Sequence, residues 1–224
     1  MQETGPTNAD DARMEIGHPL TAAIVEGNRG RAMTETQRCL DAGDDPRLII
    51  QDHLVPGMNI VGIAFKNNDI FVPEMLIAAR AMKGALSLLE PILSDSGLQP
   101  LHTAVIGTVE GDLHDIGKDL VAAMWKGAGI GVLDLGVNVS AAKFAAAVAE
   151  HRPDIVGMSA LLTTTMRGIR TATAAVRATG VPVLIIVGGA PVSDDFALEV
   201  GADGFAPDAG SAVDVALELL RRAA

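Results

Sequence analysis

The chain has 224 residues, 49% hydrophobic and 20% charged, without tyrosine; it is long and apolar enough for one large or two small cores. Its formal charge of −11 argues against non-specific nucleic-acid binding, which needs a basic surface, and its single cysteine, Cys39, excludes an internal disulfide or a Cys-rich metal cluster. Residues 1–17 lack a basic start followed by an apolar block, and no run approaches the roughly 18–20 apolar residues of a membrane span. The expectation is a soluble, cytoplasmic protein with neither a nucleic-acid nor a membrane partner.

Residues 1–17 are polar and broken by Gly5, Pro6 and Gly17, which predicts a disordered N-terminus. From Pro19 the pattern turns helical, with Leu20, Ile24 and Val25 on one face and a stop at Gly27-Asn28. A second helix is predicted over 31–42, ended by Gly43. Asp44-Asp45-Pro46 then supplies an acidic cap and a first-turn proline for a third helix over 47–65. Pro56-Gly57 predicts a kink within it or a break into two pieces. A fourth helix runs over 73–93, its apolar positions Met75, Leu76, Ala79, Met82, Ala85, Leu86 and Leu89 at helical spacing. Met58, Met75 and Met82 read as core filler. Four helices with short connections predict a small all-α four-helix bundle over 18–94, followed by a linker over 95–101.

After Leu101 the pattern changes to strand–helix alternation. Strands are predicted at 103–108, 130–135, 154–159, 182–187 and 203–206, and helices at 116–127, 140–150, 165–178, 191–200 and 210–222. The strands are continuous apolar runs, as expected for a sheet covered on both faces. The reading is an α/β doubly wound, flavodoxin-like (Rossmann-like) domain over 102–224, with a five-stranded parallel sheet.

Three features fall at the carboxyl ends of predicted strands, where such sheets bind ligands. The first strand leads into Glu110-Gly111-Asp112-Leu113-His114-Asp115-Ile116-Gly117-Lys118. A neutral imidazole is the commonest protein metal ligand, and a carboxylate on its other nitrogen fixes tautomer and orientation; Asp112 is placed to be that partner of His114. The third strand ends in Ser159-Ala160-Leu161, followed by Thr163, Thr164 and Thr165, and the fourth in Gly188-Gly189. Small and hydroxyl residues there open a slot lined with hydrogen-bonding groups. Alone, Asp-x-His-x-x-Gly also fits an ordinary polar turn before a helix.

Together, Asp-x-His-x-x-Gly, Ser-x-Leu and Gly-Gly, at these spacings, resemble the cobalamin-binding signature of methionine synthase and of corrinoid methyl-carrier proteins. The resemblance implies a cobalamin or related corrinoid, methylcobalamin included, bound base-off and His-on. His114 would be the cobalt ligand and Asp112 its hydrogen-bond partner. Leu113, Asp115 and Ile116 lie within the same binding loop, and Gly117 would allow its close approach to the corrinoid. Ser159, Leu161, Gly188 and Gly189 would surround the nucleotide tail, with Thr163 as a further contact. Where methionine synthase completes a proton relay with a serine, this chain has Thr165. Loss of the axial ligand on demethylation would then couple to proton uptake by the Asp–His pair.

The helical half extends the likeness. Gly57-Met58, Val61-Gly62, Phe65, Phe71-Val72-Pro73-Glu74-Met75 and Ala79-Arg80-Ala81-Met82-Lys83 resemble the helical cap of the same proteins. That implies a cap over the upper corrin face, with Phe65 and Val72 contacting it; plain bundle core is the competing reading for both. The implied role is to shuttle a methyl group from a substrate-specific methyltransferase to a second methyltransferase that uses coenzyme M or tetrahydrofolate. A reductive activator is a further implied partner, and the chain is not expected to be catalytic alone. A cobalamin-dependent sensor or regulator without its own DNA-binding domain is the alternative, followed by the cobalamin subunit of a mutase or a cofactor-free signalling domain.

The remaining polar residues read as ordinary. His18, His53, His102 and His151 show no metal spacing and fit surface or linker positions. Glu110, Asp115 and Lys118 fit solvated loop and helix-start charges, Trp125 fits packing within a helix, and Cys39 fits a small core residue.

Overall fold

The computed structural model describes residues 17–95 and 100–223. Residues 1–16 of the expected disordered N-terminus at 1–17, and most of the expected linker at 95–101, lie outside the described residues. The chain divides between Gln99 and Pro100 into two compact units.

The first unit is helical. Helix α1 (Pro19–Val25) starts at His18, whose Nδ1 accepts the Leu20 amide. Helix α2 (Arg29–Asp41) is capped by Asn28, and α3 (Pro46–Ile49) by Asp45. A π-helical turn (Ile50–Leu54) leads directly into α4 (Val55–Lys66), and α5 spans Val72–Asp95. The Glu74 carboxylate reaches back to the Phe71 amide at the start of α5. Leu20, Ile24, Ile49, Leu54, Met58, Met75, Met82 and Leu89 are essentially fully buried and make the core, with Cys39 beside them.

The predicted kink falls one turn earlier than expected, as a π turn rather than a bend at Pro56-Gly57. Proline has no N–H to give the carbonyl four residues back, and its ring crowds that carbonyl. The wider turn, in which the Val55 amide bonds the Ile50 carbonyl, accommodates both facts. Gly57 serves packing instead: a Cβ there would stand 2.9 Å from Ile24 Cβ on α1.

A second correction concerns hydropathy. The continuous helix Pro46–Lys66 has 21 residues and contains an 18-residue stretch of mean hydropathy 1.4, long and apolar enough by length and composition to cross a membrane. Gln51, Asp52, His53 and Pro56 break the run in the sequence without lowering its mean enough to exclude it. In the folded chain Ile49, Leu54, Met58 and Val61 from this helix are buried within the helical unit.

The second unit is a parallel α/β domain. Its elements are β1 (His102–Thr108), α6 (Ile116–Gly127), β2 (Ile130–Asp134), α7 (Ala141–His151), β3 (Ile155–Ser159), α8 (Met166–Ala178), β4 (Leu184–Gly188), α9 (Asp194–Val200), β5 (Gly204–Ala206) and α10 (Ala209–Ala223). The strand order is β2-β1-β3-β4-β5, all parallel. This is the doubly wound flavodoxin-like order, and it reverses between β1 and β3. On one face Val105, Val156, Ile185 and Val187 pack with Phe144 of α7 and Ile169 and Val176 of α8. On the other, Trp125 of α6 is fully buried, lies against Gly157 and donates its indole N–H to the Ala212 carbonyl at 3.0 Å.

One row of the register positions the site. Thr108, Ser159, Gly188 and Ala206 pair in sequence across the carboxyl ends of β1, β3, β4 and β5. All four are small, so the sheet ends in an open shelf.

Candidate functional site

The loop after β1 is built around Asp112, whose side chain is completely buried. Its Oδ1 accepts the His114 backbone amide at 3.1 Å and meets His114 Nδ1 at 2.7 Å. Its Oδ2 accepts the Thr165 hydroxyl at 2.6 Å and the Leu161 amide at 2.8 Å. The two sides of one carboxylate therefore tie the β1 loop to the β3 loop across the switch point. Burial pushes the Asp112 carboxyl up, but the bonds from Thr165, Leu161 and His114 outweigh it and hold the group well below the ordinary carboxylate range. Asp112 is a fixed anion.

His114 is about half exposed at the side chain. Asp112 holds Nδ1, and among the described residues the ring makes no other hydrogen bond. Such a ring has its orientation fixed and one nitrogen left to offer. The loop is held from below: the buried Thr108 hydroxyl donates to the His114 carbonyl at 2.8 Å. Asn138 holds it from the side, accepting the Gly111 amide at 2.8 Å while its own amide bonds the Asp112 carbonyl. Neither Thr108 nor Asn138 stands out in the sequence, because their role depends on which loop faces them.

Around this centre Leu113, Ile116 and Leu161 are exposed, as are Asp115, Gly117 and Thr163. Ser159 and Gly188 are half-buried on the shelf. Glycine is required at 189: its φ is +123°, and a Cβ would stand 1.9 Å from the Ala160 carbonyl oxygen. At Gly188 a Cβ would stand 2.8 Å from the Ala206 oxygen. A Cβ at Gly117 would meet nothing within 4 Å among the described residues, so packing against them does not explain this glycine. Phe65 and Val72 lie in the helical unit, each half-buried.

Several polar residues depart from their expected places. Lys118 is not a solvated helix-start charge: its side chain is buried, bonded to Asp119 and, at 2.5 Å, to Asp134 of β2. Burial lowers its pKa, but the two carboxylates raise it further and keep it charged. His102 opens β1 rather than sitting in a linker, 3.9 Å from the Asp154 carboxylate. His18 and His53, expected at surface or linker positions without metal spacing, stack face to face with ring centroids 3.7 Å apart.

Fold and site define a ligand-binding α/β domain whose switch point presents a carboxylate-oriented histidine beside a glycine-lined shelf. A B12 binding domain model matches residues 102–216, and a second B12 binding domain model matches residues 17–90. The chain is 37% identical to a corrinoid protein of Desulfitobacterium hafniense over 92% of its own length and 98% of the relative's. It is 36% identical to dimethylamine corrinoid protein 2 of Methanosarcina acetivorans, over 93% and 98%. A chain of the methanol:cobalamin methyltransferase complex from Methanosarcina barkeri superposes with a TM-score of 0.84 at 29% identity, over 98% of this chain and 86% of that one. The chain belongs to the B12-binding corrinoid proteins, and its cofactor is a corrinoid. The residues fit that group: an oriented imidazole with one nitrogen to offer, and a shelf where a side chain at 188 or 189 would strike backbone.

Proposed function

We propose that the chain is the methyl carrier of a corrinoid-dependent methyltransferase system. It would receive a methyl group from a substrate-specific methyltransferase and yield it to a second enzyme that uses coenzyme M or tetrahydrofolate. When bound, the corrinoid supplies a cobalt centre able to hold a methyl group. His114 is the proposed lower ligand to that cobalt, in the base-off, His-on form, and Asp112 fixes its tautomer and orientation. Thr165 completes the relay by donating to Asp112. Ser159, Leu161, Thr163, Gly188 and Gly189 line the proposed slot for the nucleotide tail, and Leu113, Asp115, Ile116 and Gly117 form its loop side. Phe65 and Val72 are the proposed cap contacts. The proposed domain bounds are a cap at 18–94, a linker at 95–101 and a corrinoid domain at 102–224.

The observation that carries the proposal is the 2.7 Å pairing of a buried, hydrogen-bonded Asp112 with a half-exposed His114 at the switch point. The names of the relatives favour a methylamine as the original donor: one is a dimethylamine corrinoid protein. The test is to load the full chain with methylcobalamin carrying a labelled methyl group. It is then offered to a coenzyme M methyltransferase and, separately, to a tetrahydrofolate methyltransferase. Label on one acceptor supports a carrier. A chain that binds the corrinoid but releases label to neither contradicts it and favours the sensor reading.

A further inference from the structure

The helical unit brings together three residues that the corrinoid reading leaves unused. His18 caps α1, Cys39 lies in α2, and His53 lies in the π turn before α4. One ring nitrogen of each histidine and the Cys39 sulfur all lie within 4.8 Å of one another. Three ligand atoms of one tetrahedral zinc stand roughly 3.3–3.7 Å apart, given Zn–N near 2.0 Å and Zn–S near 2.3 Å. The gap to be closed is about 1–1.5 Å, within the reach of side-chain rotation.

We propose that His18, Cys39 and His53 form a binding site for a zinc-class divalent cation within the helical unit. The set of two imidazoles and a thiolate is the donor chemistry that such borderline-soft ions select. Two further features point to a ligand. His53 Nδ1 is buried without a hydrogen-bond partner among the described residues. Buried polar atoms are nearly always satisfied, so an orphan calls for a partner beyond the described residues, and a bound ion supplies one. The His18–His53 stack, with the ring planes 9° from parallel, sets a second imidazole against His18 and disfavours a charge on the His18 ring. Burial, and then the nearness of His53, push the His18 pKa down in the same sense.

The surroundings are suited to a cation. Glu35 and Asp44 both act electrostatically on His18 and on Cys39, and the Cys39 thiol bonds the Asp44 carboxylate. Burial and those carboxylates hold the thiol protonated in the free chain. Binding therefore displaces the Cys39 proton, and Asp44 or a water completes the fourth position. Loading also requires the two rings to tilt out of their stack, and His18 to give up its cap bond to Leu20. The ion would join α1, α2 and the π turn, three elements far apart in sequence. It asks nothing of the corrinoid domain.

The experiment is a titration of the full-length chain, before corrinoid loading, with zinc by calorimetry and with cobalt(II) by absorption. The expected result is one ion per chain, with a thiolate-to-cobalt charge-transfer band. Cys39 is the chain's single cysteine, so the band reports this site in the unmutated protein. Cys39→Ala and His53→Ala should each weaken zinc binding by at least about tenfold, whereas His114→Ala should leave it unchanged. Absence of stoichiometric binding, a cobalt(II) spectrum without the thiolate band, or binding that survives in Cys39→Ala or disappears in His114→Ala would overturn the proposal.

Discussion

Thr165 and His114 bind opposite oxygens of the same buried carboxylate: the hydroxyl lies 2.6 Å from Asp112 Oδ2 and the imidazole 2.7 Å from Asp112 Oδ1. A change at Thr165 must therefore reach His114 through Asp112. Thr165→Val removes a donor that stabilises the carboxylate, so the Asp–His pair gains proton affinity. Such a bond to a charged group is worth about 1.5–3 kcal/mol, or about one to two pH units. Under the proposed His-on ligation, the acid transition that detaches His114 from the corrinoid should move to higher pH. Spectrophotometric pH titration measures it; an unmoved midpoint would remove Thr165 from the relay.

Asp112 also carries a stability signature. Its folded pKa lies below its unfolded value of about 3.9, so its contribution is fully present above that value. It is lost as pH falls through the folded pKa. Asp112→Asn should cost about 2–4 kcal/mol at pH 7, because the buried anion is replaced by an amide that cannot accept from all its neighbours on both oxygens. The gap between wild type and variant should stay flat above about pH 5 and narrow below about pH 4. Urea denaturation at several pH values gives both numbers.

Gly189→Ala tests the shelf. With φ at +123° and a Cβ 1.9 Å from the Ala160 oxygen, the variant must shift backbone in the loop that carries Leu161. A stability loss of about 3 kcal/mol or more is expected, with at least tenfold weaker corrinoid binding. Denaturation and a binding titration check these separately. Gly117→Ala is the contrast: with nothing near its Cβ, it should leave stability within about 0.5 kcal/mol, whatever it does to binding.

Trp125→Phe should cost about 1–3 kcal/mol by thermal or chemical denaturation, since it leaves the Ala212 carbonyl without its indole donor and opens space against Gly157. Corrinoid affinity should be little changed, because Trp125 packs on the sheet face and not at the strand ends.

The parts of this protein that were legible in its sequence are those encoded locally. Apolar runs of strand length, alternating with amphipathic helices, located five parallel strands to within two residues at either end. The Asp112-x-His114 spacing brought its carboxylate to its imidazole because both lie on one short loop. What escaped depends on topology. Lys118 reads as a solvated charge until β2 places Asp134 beside it. Thr108 and Asn138 gain their roles only when the β1 loop folds over them. The π turn follows from a steric conflict at Pro56 that a bend or a wider turn could each relieve. His18, Cys39 and His53 share no spacing rule, since three separate helical elements deliver them.

The most direct test of the central claim is the absorption spectrum of the full chain reconstituted with methylcobalamin, beside that of His114→Ala. The account predicts a His-on spectrum in the wild type and a base-off spectrum in the variant. Identical spectra for the two proteins, or a wild-type chain that binds the cofactor with its own base still on cobalt, would contradict it.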